Sequence, residues 1–251
     1  MISPEKLIAL YTAMLKCRLT AEAVDQMKQQ QCGEAAYAAA VADLERKDTL
    51  HAGPSHALAG LVRGATIQRT IAALSRAGRV RKSAADDLAA ACVSAKRHKA
   101  AGKKAVAMVF IGDAAASVSA WKKSLMQAAR RSLPVVFVSL RREGETPAFL
   151  GSDTIPAEGM AFGVPIITVD GNDVVAVYRV AYESLTRARQ LSNPTLIDCL
   201  CLKEDGLDVM ESFLHARSLL TPAQKRSIRT RLRKEVNAAS CSSLETSKKR
   251  Q

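Results

Sequence analysis

Four short apolar runs after residue 104 constrain the fold of this 251-residue chain more than any other feature. They are rich in β-branched residues and do not alternate polar with apolar positions, which predicts strands covered on both faces. Helical patterns fill two of the intervals between them, at residues 117–131 and 173–190. This alternation predicts an α/β fold with a parallel sheet flanked by helices. The four runs span residues 106–111, 134–140, 165–170 and 195–202.

The first 104 residues carry helical patterns instead. Ser3 followed by Pro4 predicts a capped helix start, because serine accepts a first-turn N–H and proline fits that turn. Residues 51–60 have the turn chemistry of a loop that leads into a short helix. The helices predicted in this region span residues 3–31, 34–46, 66–77 and 84–100.

The length suffices for one large core, and 48% of the residues are hydrophobic. We expect one domain over residues 1–239, with helical N- and C-terminal extensions around an α/β core. No apolar run reaches the roughly 20 residues of a membrane helix, and the N-terminus lacks the pattern of a signal peptide, so a cytoplasmic protein is expected. The expected parts are a helical region at 1–104, the core at 105–202, helices at 206–239 and a basic flexible tail at 240–251.

The formal net charge of +13 is concentrated towards the C-terminus. Residues 217–251 hold ten Lys or Arg against two Glu, and a second basic stretch runs over residues 63–82. Such surfaces bind RNA, DNA or acidic partners through nonspecific electrostatics. A basic helix face that is only solvated also agrees with the pattern. We expect the solvated face, and nucleic-acid binding through the basic tail is the alternative.

Six cysteines are present, and none forms a C-x-x-C pair. Most stand in apolar contexts, which favours buried free thiols over metal ligands or disulfides. They are Cys17, Cys32, Cys92, Cys199, Cys201 and Cys241.

Two predicted strands end in polar residues that suggest a ligand site. Asp113 follows Gly112 directly after the first apolar run, and Arg141 and Arg142 follow the second. Ligands of parallel α/β sheets bind beyond the carboxyl ends of the strands. These side chains therefore stand at the edge where a metal or a phosphate would bind, although their location alone does not establish binding.

Six segments of the chain, in order, resemble segments of one known family. They are LYTAMLKCR (10–18), GEAAYAAAVADLERKDTL (33–50), LPVVFV (133–138), FGVPIITVDGNDVVAVYRVAYESLTRAR (162–189), NPTLIDC (193–199) and ARSLLTPAQ (216–224). The likeness is to the alpha subunit of thiamine-diphosphate-dependent 2-oxo acid dehydrogenases, such as the pyruvate and branched-chain enzymes. It implies a thiamine-diphosphate-binding fold, oxidoreductase activity on 2-oxo acids, Mg²⁺ with thiamine diphosphate, and assembly with a second copy or a beta subunit.

The cofactor motif of that family begins Gly-Asp-Gly and ends Asn-Asn. Its aspartate and second asparagine hold Mg²⁺, which bridges the diphosphate through oxygen ligands. Here the second glycine is Ala114, an asparagine is replaced by Ser117, and two arginines stand where the final asparagines belong. The positions of this altered motif are Gly112, Asp113, Ala114, Ser117, Arg141 and Arg142.

The two arginines change the chemistry of the motif. Arginine offers no acceptor and always carries positive charge, so it repels a divalent cation instead of ligating it. It can instead pair with Asp113, or hold a phosphate without metal. We expect the pairing, and Asp113 would be a metal ligand only if a metal is bound.

Other parts of the family pattern are also altered. The family carries Tyr-Arg and a histidine in the loop that corresponds to residues 51–57, and this chain has HAGPSH. His56 is therefore either the equivalent catalytic histidine or an incidental polar loop residue. The stretch between Gly64 and Ala84 is shorter than in the family, and the Gly-His-Ser segment expected after Cys201 is missing.

Three functions agree with these residues. The first, which we expect, is a degenerate alpha-like subunit, a pseudoenzyme that binds no cofactor and acts as a structural or regulatory partner in an oligomer. The second is an active alpha subunit that uses thiamine diphosphate with Mg²⁺ beside a beta subunit. The third is an anion or nucleic-acid binder on the same fold, through the two arginines and the basic surface.

Overall fold

The computed structural model describes residues 2–24, 33–77, 84–112, 115–149 and 159–248, with side chains up to residue 240. Five strands run parallel in one sheet, and a short sixth strand pairs antiparallel at one edge. The order across the sheet is β1-β2-β3-β6-β5-β4. The strands are β1 (Thr49–Ala52), β2 (Ala107–Gly112), β3 (Val135–Arg142), β4 (Met160–Ala161), β5 (Val164–Asp170) and β6 (Thr195–Cys201).

Helices cover both faces of this sheet, which confirms the predicted α/β class. Helices α5 and α6 lie on one face, where Trp121 packs edge-on against Phe137 and Phe149. The remaining helices enclose a larger apolar core on the other face. The helices are α1 (Pro4–Glu22), α2 (Glu34–Val41), α3 (Ala57–Val62), α4 (Ile67–Leu74), α5 (Ala84–Ala100), α6 (Val118–Arg131), α7 (Val174–Leu191), α8 (Gly206–Ala216) and α9 (Pro222–Lys248), and a 3₁₀ turn (Pro54–His56) precedes α3.

The order in which successive strands are added across the sheet reverses between β3 and β6, and we call this point the reversal of the sheet. Strands β1, β2 and β3 follow one another across the sheet, whereas β5 is followed by β6, which returns to the side of β3. Helix α6 therefore packs on one face and α7 on the other. In open α/β sheets, the carboxyl ends of the strands at such a reversal form the crevice in which ligands bind.

Several local predictions are confirmed. Ser3 caps α1 by accepting from the N–H of Lys6 at 3.2 Å. Asp173 caps α7 by accepting from Val175 and Ala176, and the apolar faces predicted for α1 and α7 are buried. Helix α5 begins and ends where the sequence predicts.

The sequence-based boundaries are wrong at three places. Strand β1 occupies residues 49–52 and so includes the first two residues of the loop predicted at 51–60. Its four residues are half-buried at the edge of the sheet, and four are too few to show an alternation of polar and apolar positions. Helix α2 ends at Val41, because Asp48 accepts from the N–H of Glu45 and turns the chain. Helix α9 continues to Lys248, through much of the predicted flexible tail. Residues 25–31 of the first predicted helix lie outside the described part.

The cysteine prediction is confirmed in part. Cys17, Cys92 and Cys199 are free and buried. The prediction is wrong for Cys201, which is disulfide-bonded. Cys201 is the last residue of β6 and is buried, as predicted.

Asp48 joins the start of β1 to the start of β2 and to α7. Its side chain is fully buried and forms an ion pair with Arg189. Its carboxylate also accepts from the N–H groups of Val106 and Glu45, both at 2.8 Å. Every oxygen of this buried charge is thus satisfied, as a buried carboxylate requires.

We expect Asp48→Ala to lower the free energy of unfolding by about 3 kcal/mol, because it removes two hydrogen bonds and leaves Arg189 short of a buried partner. Urea denaturation followed by circular dichroism measures this change. The exposed Asp208→Ala serves as the control, with an expected loss below about 1 kcal/mol. Equal losses in the two variants would contradict the role of Asp48.

Candidate functional site

The candidate site lies at the carboxyl ends of β2, β3 and β6. Strand β2 ends at Gly112, and the next two motif positions, Asp113 and Ala114, lie outside the described residues. Ser117 then caps α6, since its hydroxyl accepts from the N–H of Ala120 at 3.3 Å. The positive end of the helix dipole is therefore directed towards this edge of the sheet.

Arg141 is held in a buried ion pair with Asp198. Its Nε lies 2.9 and 3.0 Å from the two carboxylate oxygens, and its Nη2 lies 2.9 Å from Oδ2. The Asp198 side chain is 1% exposed and that of Arg141 is 13% exposed. Thr168 of β5 donates to the same carboxylate at 3.1 Å. This network joins β3, β6 and β5 at the reversal of the sheet.

The carboxylate partner of Arg141 is Asp198. The predicted pairing of an arginine with Asp113 stays a prediction, because Asp113 lies outside the described residues. Side chains two residues apart on a strand share a face, and Asp198 lies opposite Ser139 in the register. Arg141 therefore reaches the carboxylate of Asp198 across the neighbouring strand. One sequence feature could have predicted Asp198 as a partner: it is a lone carboxylate inside an apolar strand, and such a buried charge needs a partner.

Arg142 has a different environment from its neighbour. It ends β3 on the opposite face and is exposed. Its N–H donates to Oε2 of Glu145 at 2.9 Å, and the N–H of Glu143 donates to the carbonyl of Cys201 at 3.1 Å. These bonds fix the backbone at the point where β3 leaves the sheet.

His56 lies beside the end of β2, as its place in the loop suggests. Its Nδ1 is 2.9 Å from the hydroxyl of Tyr37, and its Nε2 is 3.6 Å from where a Cβ on Gly112 would stand. Desolvation lowers the pKa of His56 to about 4, although the nearby charge of Asp87 opposes this shift. The neutral phenol of Tyr37 can donate to Nδ1, which places the imidazole hydrogen on Nε2, facing Gly112.

Gly53 lies where the backbone and the carboxylate of Asp87 approach closely. A Cβ at Gly53 would stand 2.8 Å from Oδ2 of Asp87, which is closer than real Cβ contacts allow. The absence of a side chain at this position thus lets the carboxylate approach the chain next to His56.

The segment Asp170–Asp173, which carries part of the family resemblance, has a structural role. The side-chain amide of Asn172 donates to the carbonyls of Leu202 and Glu204 at 2.8 and 2.7 Å. Its N–H donates to Asp170 at 2.8 Å. These bonds hold the connection between β6 and α8 against the end of β5.

The residues described at the ends of β3 and β6 do not fit Mg²⁺. Arg141 and Arg142 offer no oxygen from their side chains, and both oxygens of Asp198 accept from Arg141. The described residues contain no cluster of three His, Cys, Asp or Glu that could hold a metal ion. A Cβ at Gly112 would lie 3.6 Å from Nε2 of His56 and 3.9 Å from the Cβ of Ala115, both ordinary contact distances.

A model of the family described as "Dehydrogenase E1 component" matches residues 80–206, which is half of the chain. This chain belongs to the dehydrogenase E1 component family. It is similar to the alpha subunit of acetoin:2,6-dichlorophenolindophenol oxidoreductase of Bacillus subtilis, with 38% identity over 120 residues, 46% of this chain and 36% of that protein.

Pyruvate dehydrogenase E1 alpha subunits are similar over a shorter segment. The chloroplastic alpha-3 subunit of Arabidopsis thaliana is 39% identical over 98 residues, 38% of this chain and 23% of that protein. The subunit of Acholeplasma laidlawii is 38% identical over 92 residues, 35% of this chain and 27% of its own length. The chain thus spans about a third or less of the length of these relatives. Among its described helices, none has the length and apolarity to cross a membrane.

We expect Asp198→Asn to lower the free energy of unfolding by about 3 kcal/mol, because it leaves the guanidinium of Arg141 buried without its counter-charge. The exposed i,i+4 pair of Glu183 and Arg187 provides the control, and Glu183→Gln should cost below about 0.5 kcal/mol. Urea denaturation measures both. A loss of unfolding free energy for Asp198→Asn no larger than that of the control would show that the ion pair does not stabilise the fold.

The lowered pKa of His56 predicts a pH dependence of stability. Between pH 6.5 and about 4 the unfolded chain binds a proton that folded His56 does not, so the free energy of unfolding falls as pH falls. We expect His56→Gln to reduce that slope by up to about 1.4 kcal/mol per pH unit. Equal slopes in wild type and His56→Gln would contradict the lowered pKa.

Proposed function

We propose that this protein is an alpha-subunit-like member of its family that does not bind Mg²⁺ and thiamine diphosphate and acts as a structural or regulatory subunit. The observation that carries the proposal is the buried pair of Arg141 and Asp198 at the reversal of the sheet. By the family pattern, an asparagine oxygen belongs at the end of β3. A guanidinium stands there and is fixed by a neighbouring carboxylate.

The ion pair is a stable obstacle to cofactor binding. A divalent cation at the end of β3 would find no side-chain oxygen there, because arginine offers no acceptor and both oxygens of Asp198 accept from Arg141. Freeing Asp198 to act as a ligand would leave Arg141 buried and unpaired, which costs several kcal/mol. Repositioning one side chain therefore does not restore the site.

An active alpha subunit is the second candidate function, and two observations favour it. The similar proteins are named as oxidoreductase and dehydrogenase subunits. In this chain His56 lies beside Gly112, and the N-terminus of α6 faces the same edge. If thiamine diphosphate were bound, Gly112 and the first turn of α6 would approach its diphosphate. The cofactor would supply the carbanion chemistry that 2-oxo acid decarboxylation requires.

Assembly with other subunits is part of the proposal. The similar proteins are named alpha subunits, which supports a beta-subunit-like partner or a second copy for this chain. The cytoplasmic location expected from the sequence stays a prediction.

Calorimetric titration of the full chain with thiamine diphosphate in the presence of Mg²⁺ tests the proposal. We expect no metal-dependent heat of binding for the wild type. Arg142→Asn restores an oxygen ligand without breaking the Arg141 pair, so any gain of binding should appear in that variant. Arg131→Asn removes an exposed arginine elsewhere and should gain nothing. A metal-dependent, micromolar isotherm for the wild type would favour the active alpha subunit instead.

A further inference from the structure

The outer face of helix α9 carries a dense group of cations that the proposed function does not use. Between Pro222 and Ser240 the helix has one acidic residue, Glu235. The six basic residues of this segment are Lys225, Arg226, Arg229, Arg231, Arg233 and Lys234.

Packing of the opposite face fixes the direction of these cations. Leu232 and Val236 are each 3% exposed and lie in the larger core, with Ile228 packed against it. The arginines project away from that stripe and are exposed. The helix backbone is thus held in place, so a ligand on its outer face needs to order only the ends of side chains.

Most of these cations have no counter-charge within the described part of the chain. There, the ion pairs of α9 are those of Lys225 with Glu211 and of Glu235 with Lys16. Four of the other cations line a shallow recess of about 630 Å³ together with two neutral hydrogen-bonding side chains. Its polar lining is Arg226, Arg229, Thr230, Arg233, Lys234 and Asn237.

We propose that this face of α9 binds the phosphate backbone of a nucleic-acid duplex without sequence preference. Four cations, from Arg226 to Lys234, line the recess over about 12 Å of helix at about 1.5 Å per residue, or roughly one charge every 3 Å. Each strand of duplex DNA carries one negative charge per about 3.4 Å. The two spacings are similar, and each neutralised phosphate releases bound counterions.

The composition of the recess distinguishes this ligand from other polyanions. Stable protein interfaces are anchored by buried aromatic or aliphatic side chains, and the one apolar residue here is Ala238. Sequence-tolerant binding of single strands uses aromatic side chains on which bases stack, and this recess contains none. Arginine, lysine, threonine and asparagine side chains are the groups that contact duplex phosphates.

Fluorescence anisotropy of the full chain with a dye-labelled 20-base-pair DNA duplex tests the proposal. A triple variant, Arg226→Gln with Arg229→Gln and Arg233→Gln, should weaken binding at least tenfold near 0.1 M salt. The slope of log K against log salt should fall by up to about 3, at about 0.9 per lost phosphate contact. These side chains are exposed, so unfolding curves should match those of the wild type.

The matched control removes the same charge from exposed lysines that lie outside α9, as Lys103→Gln with Lys104→Gln and Lys123→Gln. We expect less than a twofold change in affinity for this variant. Equal weakening of the two triple variants, or no duplex binding by the wild type, would overturn the proposal. Tighter binding of a labelled single strand or of polyglutamate than of the duplex would also overturn it, in favour of those ligands.

Discussion

A guanidinium bound by a carboxylate joins the two neighbouring strands between which the strand order of the sheet reverses. Arg141 of β3 and Asp198 of β6 are both largely buried, and Thr168 of β5 satisfies the same carboxylate. A charge in that position is tolerated only because its partner and its hydrogen bonds are complete. The pair thus joins the strands of the crevice, and under the proposed function it also excludes a metal from the end of β3.

The surroundings of the pair preserve the outline of a cofactor site. Gly112 ends β2 beside a neutral histidine, and the capped start of α6 follows it. These groups suit an anion, whereas the end of β3 offers cations where the family pattern requires oxygen. The α/β fold is therefore kept, and under the proposed function the part of the site that would hold a metal is altered.

Sequence patterns predict most strands and helices of this molecule well, because these elements depend on local periodicity and on single capping side chains. The buried strands β2, β3 and β6 are nonalternating apolar runs, and Ser3 and Asp173 mark helix starts by the capping chemistry of single side chains. Strand β1 is not predicted, because its four residues are held by Asp48 and by pairing with β2, both of which are distant in sequence.

The candidate site is predictable in its location but not in its contacts. Parallel strands bring Gly112, Arg141 and Arg142 to one edge, which follows from topology alone. The partner of Arg141 depends on the register of β6 against β3, and the order of strands is not encoded in any local pattern. The environment of His56 likewise depends on Tyr37, which lies on another helix.

A crystal structure of the protein grown with Mg²⁺ and thiamine diphosphate would test the central claim most directly. The account predicts that Arg141 remains bound to Asp198 and that no diphosphate density lies between the ends of β2 and β3. Density for a metal-bound diphosphate there, with Arg141 displaced from Asp198, would contradict it.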